Sequence, residues 1–344
     1  MLSITKGSIF YPPTLDYYWH YQRPQHIMQE LAKKIPKAFF FHRKLKFSSG
    51  TKKEGNLIVT EDYGASKLTK PRVMYSSTPI SHTFVKYFKP DLFILDYLDS
   101  TDGEFKMWAG EMEKSIAKAD VVICTAVKLY NIAKELHSDV HLVPNGADFA
   151  KFSRAAKPLS GALEMKDLPR PIVYYHGAVG SWGEWDLVLD TARELPGTSF
   201  VIVGDEYDYK LENVPPNVHV LGHKQYKVLH KYLSMADVCL VPFSESSPMI
   251  EGCNPIKVWE YFSAGKPVVA TRIKELEPMK KFIYFGSTVK ELKSAIVMAT
   301  IELMGDVDLS RQRIELARIN SWEARGELIW SALAAAAKRR GFGV

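Results

Sequence analysis

The sequence predicts an α/β protein made of two doubly wound, parallel-sheet domains in series. At 344 residues the chain is longer than one ordinary hydrophobic core supports. Short, uniformly apolar runs alternate with amphipathic helical patterns, as in parallel sheets covered on both faces. The alternation breaks once, between residues 148 and 171, where KFSRAAKPLSGALEMKDLPRP mixes proline, glycine and charge as linkers do.

Before the break, strands are expected at 8–11, 38–42, 57–60, 73–76, 92–95, 121–124 and 141–144. Helices are expected at 24–35, 81–88, 104–119 and 126–136. After it, strands at 172–176, 199–203, 218–221, 238–241 and 267–271 alternate with helices at 184–195, 226–235 and 255–264. From residue 310 onward the pattern is helical, anchored by Trp322 and Trp330. The boundaries that follow are a Rossmann-like domain over 1–155, a second over 170–320, and a C-terminal helix over 321–344. Two such domains leave a cleft, and ligands of open α/β sheets bind beyond the carboxyl ends of the strands.

Apolar residues at 46%, aromatics at 12% and charges at 24% describe a globular chain and exclude a disordered or fibrous one. Cys124, Cys239 and Cys253 are scattered, with no CxxC and no Cys/His cluster. No disulfide framework and no metal site is readable, and a reducing cytoplasm is expected. The opening MLSITKGSIFY lacks the apolar stretch of a signal peptide. No run reaches the roughly 18 apolar residues of a membrane span. Residues 1–90 hold 15 Lys and Arg against 5 Asp and Glu, whereas the remainder holds 30 against 34. Such asymmetry points to an anionic partner, a membrane surface or a phosphorylated acceptor, or else to a plain solvated basic face. Residues 84–89, FVKYFK, and 42–47, HRKLKF, within the basic segment 33–53, alternate cation with ring. That pattern fits peripheral contact with the inner face of an anionic membrane, and equally core packing of the phenylalanines. No nucleic-acid motif accompanies the charge, so no nucleic-acid partner is expected.

Residues 251–271, EGCNPIKVWEYFSAGKPVVAT, carry the most chemistry. Asn254 and Pro255 open a helix, where proline's fixed φ and missing N–H are harmless. Free N–H groups and the positive end of the helix dipole there favour a phosphate. Ile256 stands in this turn, and Lys257 adds a full charge to it. Glu260 follows on the same face, where a carboxylate can accept both hydroxyls of a ribose.

This segment resembles the donor-binding helix of the GT-B glycosyltransferases, in the large bacterial group known as family 4 or group 1. Pro255, Lys257, Glu260, Tyr261, Gly265, Pro267, Val268 and Val269 match its Pro-x-Lys-x-x-Glu-Tyr-x-x-x-Gly-x-Pro-Val-Val run. Residues 143–148, VPNGAD, resemble the turn that closes the family's first domain, and 200–204, FVIVG, its central strand. Residues 217–222, NVHVLG, resemble the segment facing the nucleotide base, and 232–242 the strand that ends in proline. Arg23-Pro24-Gln25-His26 resembles the opening of a subgroup that includes teichuronic-acid glycosyltransferases.

The resemblance implies a GT-B fold: two Rossmann-like doubly wound domains facing across a cleft, with a C-terminal helix able to cross back. It implies a donor site drawn from Gly177, Gly180, Ser181, Gly204, Gly222, His223, Asn254, Pro255, Ile256, Lys257 and Glu260. It implies metal-independent chemistry with no cofactor beyond a nucleotide-sugar co-substrate, UDP-linked before GDP- or TDP-linked. Two departures stand out. A second Glu, carried by many members eight positions before the ribose-binding one, is Gly252 here. The usual Arg and Lys pair after the first strand of the second domain is replaced by residues 177–182, GAVGSW. Lys257 and the N–H groups of this glycine loop are expected to take the phosphate instead, unless Gly177 and Gly180 only form a tight turn.

Residues 91–99, DLFILDYLD, read as a buried strand that leaves carboxylates at its end. Asp99, then Asp96, are the candidates for a general base towards an acceptor hydroxyl. The alternative is capping of the next helix by Asp99, Ser100 or Asp102. Gln22, Arg23 and His26 are expected on the acceptor or phosphate side, though His26 also suits an ordinary helix position. Trp19, Tyr17, Tyr18 and Tyr21 could stack on sugar rings or close the cleft. The activity expected is transfer of a hexose from a nucleoside-diphosphate sugar to a glycan or lipid-linked acceptor, in polysaccharide or glycoconjugate biosynthesis. A nucleotide-sugar 2-epimerase or hydrolase, or a non-catalytic nucleotide-sugar-binding subunit, are the alternatives.

Overall fold

The computed structural model describes residues 2–45, 50–303, 305 and 307–344. It divides into two compact units: residues 1–145 with 252–254 and 322–344, and residues 146–251 with 255–321.

The first unit runs β1 (Ser8–Tyr11), α1 (Arg23–Lys34), β2 (Ala38–Phe41), β3 (Thr51–Glu54), β4 (Leu57–Thr60) and β5 (Arg72–Ser76). It continues with α2 (Ser81–Phe88), β6 (Leu92–Tyr97), α3 (Ala109–Lys118), β7 (Val121–Cys124), α4 (Val127–Leu136) and β8 (Val140–Leu142). The sheet order is β3-β4-β2-β1-β5-β6-β7-β8, antiparallel only between β3 and β4. Every residue of β1, β6 and β7 is buried, and apart from Ser8 and Asp96 these strands are apolar rather than alternating. Strand order reverses at β1, where Ile9 pairs with Ala38 of β2 on one side and Val73 of β5 on the other.

The second unit contains α5 (Phe149–Phe152), β9 (Ile172–His176), α6 (Trp185–Arg193), β10 (Ser199–Val203), β11 (Val218–Val220) and α7 (Leu229–Met235). Then come β12 (Val238–Val241), α8 (Ile256–Ser263), β13 (Val268–Ala270), β14 (Ile283–Phe285), α9 (Val289–Glu302) and α10 (Val307–Ile319). Its sheet is wholly parallel, in the order β11-β10-β9-β12-β13-β14. The last helix, α11 (Trp322–Arg339), belongs to the first unit, packed on α1, β6 and β7. Gly326 makes that approach possible, because a Cβ there would lie 2.5 Å from Glu30 Cβ.

The doubly wound α/β architecture is as expected, with differences in detail. β3 departs from expectation: its TKKE sequence is charged and mostly exposed, as suits an edge strand guarded by lysines. β14 and α9 are likewise additions to the expected elements. The single helix expected over 104–119 is a 3₁₀ segment, Gly103–Trp108, followed by α3. The helix expected from 310 onward is two helices, interrupted at Asn320 and Ser321. Buried Arg313 holds α10 in place by a forked pair with Glu302 and a 3.0 Å hydrogen bond to the Phe282 carbonyl.

The cation–ring stretches separate on folding. Phe41 and Phe88 stack at 5.4 Å and close the core with Phe10, which leaves Lys86, Tyr87 and Lys89 outside. Of the rings in 84–89, Phe88 belongs to the core and Tyr87 is exposed. Residues 46–49 of the basic segment lie outside the described residues. Among the described residues no helix is long and apolar enough to cross a membrane.

Candidate functional site

In the second unit, three glycines meet at the carboxyl edge of adjacent strands. Gly177 follows β9, Gly204 follows β10 and Gly222 lies just beyond β11. Gly177 N–H donates to the Val203 carbonyl at 2.9 Å, and Gly204 N–H to the Gly222 carbonyl at 3.0 Å. Gly177 and Gly222 have φ of +137° and +65°, conformations that only glycine adopts freely. A Cβ on Gly204 would fall 1.8 Å from the Gly177 carbonyl oxygen, so the two loops touch backbone to backbone. A Cβ on Gly180 would strike the Trp182 ring at 2.4 Å, and its carbonyl accepts from Trp185 Nε1 at 2.8 Å. These loops bring main chain close together at the carboxyl edge of a parallel sheet, the edge where open α/β sheets bind ligands. Ser181 turns away, giving its N–H and hydroxyl to Asp208 at 2.9 and 2.8 Å. His223 lies beside Asp205, with Nδ1 3.2 Å from its carboxylate.

Lys257 reaches this glycine edge from α8. Its ammonium sits over the Tyr175 and Phe243 rings, 4.9 and 4.3 Å from their centroids. A Cβ on Gly177 would lie 3.2 Å from Lys257 Nζ. A cation held between two ring faces beside a bare main-chain loop is a preorganised counter-charge for an anion. Glu260 lies one turn along and is almost completely buried. Its Oε2 lies 2.7 Å from His176 Nε2. The chain before α8 differs from expectation. Pro255 occupies the N-cap and Ile256 is the first helical residue. Asn254 belongs to the first unit, where its side-chain oxygen accepts from Asn145 N–H at 3.1 Å and its carbonyl from Asn145 Nδ2 at 2.6 Å. Both of these Asn254 oxygens are thus engaged within the first unit.

The first unit has its own concavity, of about 360 Å³, where the chain leaves β1, β2, β5 and β6. Thr14, Arg43, Thr78, Asp99, Phe105 and Trp108 are among its lining residues. It lies at the reversal of strand order, where doubly wound sheets open. Asp99 is exposed and lines this concavity, and desolvation by the surrounding protein raises its pKa above the usual carboxylate range. Asp99 is not needed as a cap. Ser100 and Asp102 hold the following turn, with Ser100 Oγ donating to Asp102 at 3.0 Å and Lys128 pairing with Asp102 at 2.7 Å.

Asp96, the second candidate base, is corrected by the structure. It is fully buried inside β6, and one carboxylate oxygen receives both Arg23 Nε, at 2.7 Å, and the Tyr75 hydroxyl. Arg23 is equally enclosed, with Nη1 donating to the Pro144 carbonyl at 3.0 Å and Asn145 Oδ1 at 3.3 Å. Desolvation opposes its charge, but Asp96 and Tyr75 outweigh that and hold its pKa above the ordinary value. The pair ties α1 and β6 to the turn after β8. His26 is buried and stacks on Trp322, with ring centroids 4.8 Å apart. Gln22 is exposed at the start of α1, its N–H donating to Gln25 Oε1 at 3.1 Å. Tyr17 is core, edge-on to Tyr18, Tyr21 and Phe40. Trp19 lies against His20, with ring centroids 4.5 Å apart.

Comparison with known proteins defines the class. Residues 170–306 match the family described as glycosyl transferases group 1, so the second unit carries that domain. A Bacillus subtilis (strain 168) protein named as a teichuronic acid biosynthesis glycosyltransferase, TuaH, is 24% identical over 219 residues. That match takes in 60% of this chain and 55% of the relative, so the chain spans about half the length of the curated relative. Among solved structures, sucrose-phosphate synthase from Thermosynechococcus elongatus superposes with a TM-score of 0.71 at 15% identity, covering 96% of this chain and all (100%) of that one. Anabaena HepE, solved in complex with UDP-glucose, gives 0.71 at 12% identity, with coverage of 96% and 100%. The fold is GT-B, two Rossmann-like units in one chain, and its second unit is of the group 1 glycosyltransferase type.

Proposed function

We propose that this protein transfers a hexose from a nucleoside-diphosphate sugar to a hydroxyl of a glycan or lipid-linked acceptor. The observation that supports this best is the Lys257 ammonium lying beside the Gly177 main chain at the carboxyl edge of the second unit's sheet. In this reading, Lys257 and nearby N–H groups receive the diphosphate and stabilise its charge as the bond to the sugar breaks. Glu260 accepts the ribose hydroxyls, and Gly222 and His223 face the base. Because the same fold holds UDP-glucose in Anabaena HepE, a UDP-sugar is the first donor to test. No cofactor beyond the nucleotide-sugar is invoked.

The first unit supplies the acceptor side. Its concavity combines hydroxyl-bearing side chains with Phe105 and Trp108, a lining suited to a sugar ring. Asp99 is the group proposed to take the acceptor's proton as its oxygen bonds to the anomeric carbon and the diphosphate departs. A lipid-linked acceptor would bring the protein to a membrane face, and the exposed Lys86, Tyr87 and Lys89 are the residues of 84–89 left to meet it. Measurement of UDP-sugar turnover tests the reading. Lys257→Ala should lower kcat/KM by about 100-fold or more, as removal of other transition-state donors does. Glu260→Ala should raise donor KM. Wild-type rates for both variants would refute the assignment.

A further inference from the structure

His176, the last residue of β9, has no place in that scheme, yet it is the best-fixed polar group near it. Its ring stacks with Phe152 and meets Tyr261 edge-on, with centroids 6.1 and 5.0 Å away. Its backbone N–H donates to the Tyr261 hydroxyl at 3.1 Å, so both ends of the residue are held. Nε2 is 2.7 Å from Glu260 Oε2, with the two side chains only 6% and 4% exposed. Nδ1 is buried and meets no partner among the described residues. With the Glu260 carboxylate as acceptor, the Nε2 contact places a proton on that nitrogen.

We propose that His176 is the positioning residue for Glu260 and sets the protein's preference for a ribose over a deoxyribose nucleotide. The proposal rests on the reading above, in which Glu260 grips the ribose. A glutamate has three side-chain torsions, and ordering them on binding costs affinity. Anchoring Oε2 removes most of that cost in advance and leaves Oε1 as the oxygen offered to a ligand. An anchored carboxylate also discriminates sharply. It cannot swing to re-pair when a hydroxyl is missing, so a deoxy analogue leaves a buried acceptor unsatisfied. Without His176 the carboxylate could rotate, and both the affinity and the discrimination would fall.

The test is calorimetric binding of UDP and of its 2′-deoxy and 3′-deoxy analogues to the full chain. Wild type should prefer UDP by about tenfold or more over at least one analogue, the value of a hydrogen bond to a charged group. His176→Leu should weaken UDP about tenfold while changing the affinity for that analogue less than about twofold, so the preference disappears. In turnover, the same variant should raise donor KM with kcat little changed. His176→Gln can return an N–H near the Nε2 position and should recover the preference; His176→Asn, whose amide falls short of it, should not. This Gln-against-Asn contrast decides the matter even if the leucine variant does not fold. If His176→Leu keeps the wild-type preference while Glu260→Gln loses it, the role of His176 is overturned and the ribose reading stands. Equal behaviour of the Gln and Asn variants overturns that role in the same way. If Glu260→Gln also keeps the preference, or wild type shows none or does not bind UDP, the ribose reading falls and takes this proposal with it.

Discussion

Replacing Asp96 by alanine should destabilise the first unit far more than it perturbs any chemistry. The carboxylate is fully buried and receives the Arg23 guanidinium at 2.7 Å as well as the Tyr75 hydroxyl. Removing it strands a guanidinium that is 1% exposed with only neutral acceptors, the Pro144 carbonyl and Asn145 Oδ1. Breaking a buried pair from one side costs about 3–5 kcal/mol, a large part of the roughly 5–15 kcal/mol that a domain has. Asp96→Asn keeps an acceptor and should cost less, about 1.5–3 kcal/mol. Replacing both partners with apolar residues of similar volume, Arg23→Met with Asp96→Leu, should recover much of the alanine loss, because no charge is left unpaired. Equilibrium urea denaturation, fitted with separate transitions for the two units, measures each value. An alanine variant within about 1 kcal/mol of wild type would refute the anchoring role. If that variant were also inactive, Asp96 would return as the candidate base.

Asp99 gives a pH signature of known sign. Desolvation raises its pKa in the folded state, so in the window between its unfolded and folded values the fold binds more protons than the unfolded chain. Stability from this group is therefore greatest at acid pH and falls as pH rises through the folded pKa. Asp99→Asn should match wild type in melting temperature at low pH and exceed it at neutral pH, yet lose transfer activity; equal curves at both pH values would refute the desolvation. Gly204→Ala places a Cβ 1.8 Å from the Gly177 carbonyl, and should cost about 3 kcal/mol or more in thermal denaturation of the second unit. Phe88→Ala empties a site packed by Phe10 and Phe41 and should cost about 3–5 kcal/mol in the first unit. A loss below about 1 kcal/mol would mean that Phe88 is not core.

Both sheets are legible in the sequence because their strands are apolar throughout and separated by amphipathic helices, and tertiary packing reinforces that local signal. β3 is not, because TKKE has no apolar face and forms a strand only by pairing with β4. That Gly177 and Lys257 lie side by side can be anticipated from residue type and order. The roles of Arg23 and Asp96 cannot: an arginine and an aspartate 73 positions apart look like site residues until the fold shows them paired in the core. His176 escapes notice for the opposite reason, since one histidine closing an apolar strand gives no signal until Glu260 is found beside it. The concavity around Asp99 is assembled from loops distant in sequence, and only its carboxylate can be singled out beforehand.

The return of α11 to the first unit bears on how the chain is made. Apart from residues 252–254, the path stays in the second unit from residue 146 to 321, and Ala147 and Ser321 bridge side by side at its two ends. In topological terms the second unit is an insertion within the first. A ribosome adding about 5–20 residues per second would expose the first unit's sheet on the order of ten seconds before its covering helix emerges. During that interval the apolar bed later occupied by Ile329, Leu333 and Ala336 is open, a natural seat for a chaperone and the place where a nascent chain is most prone to stick to another.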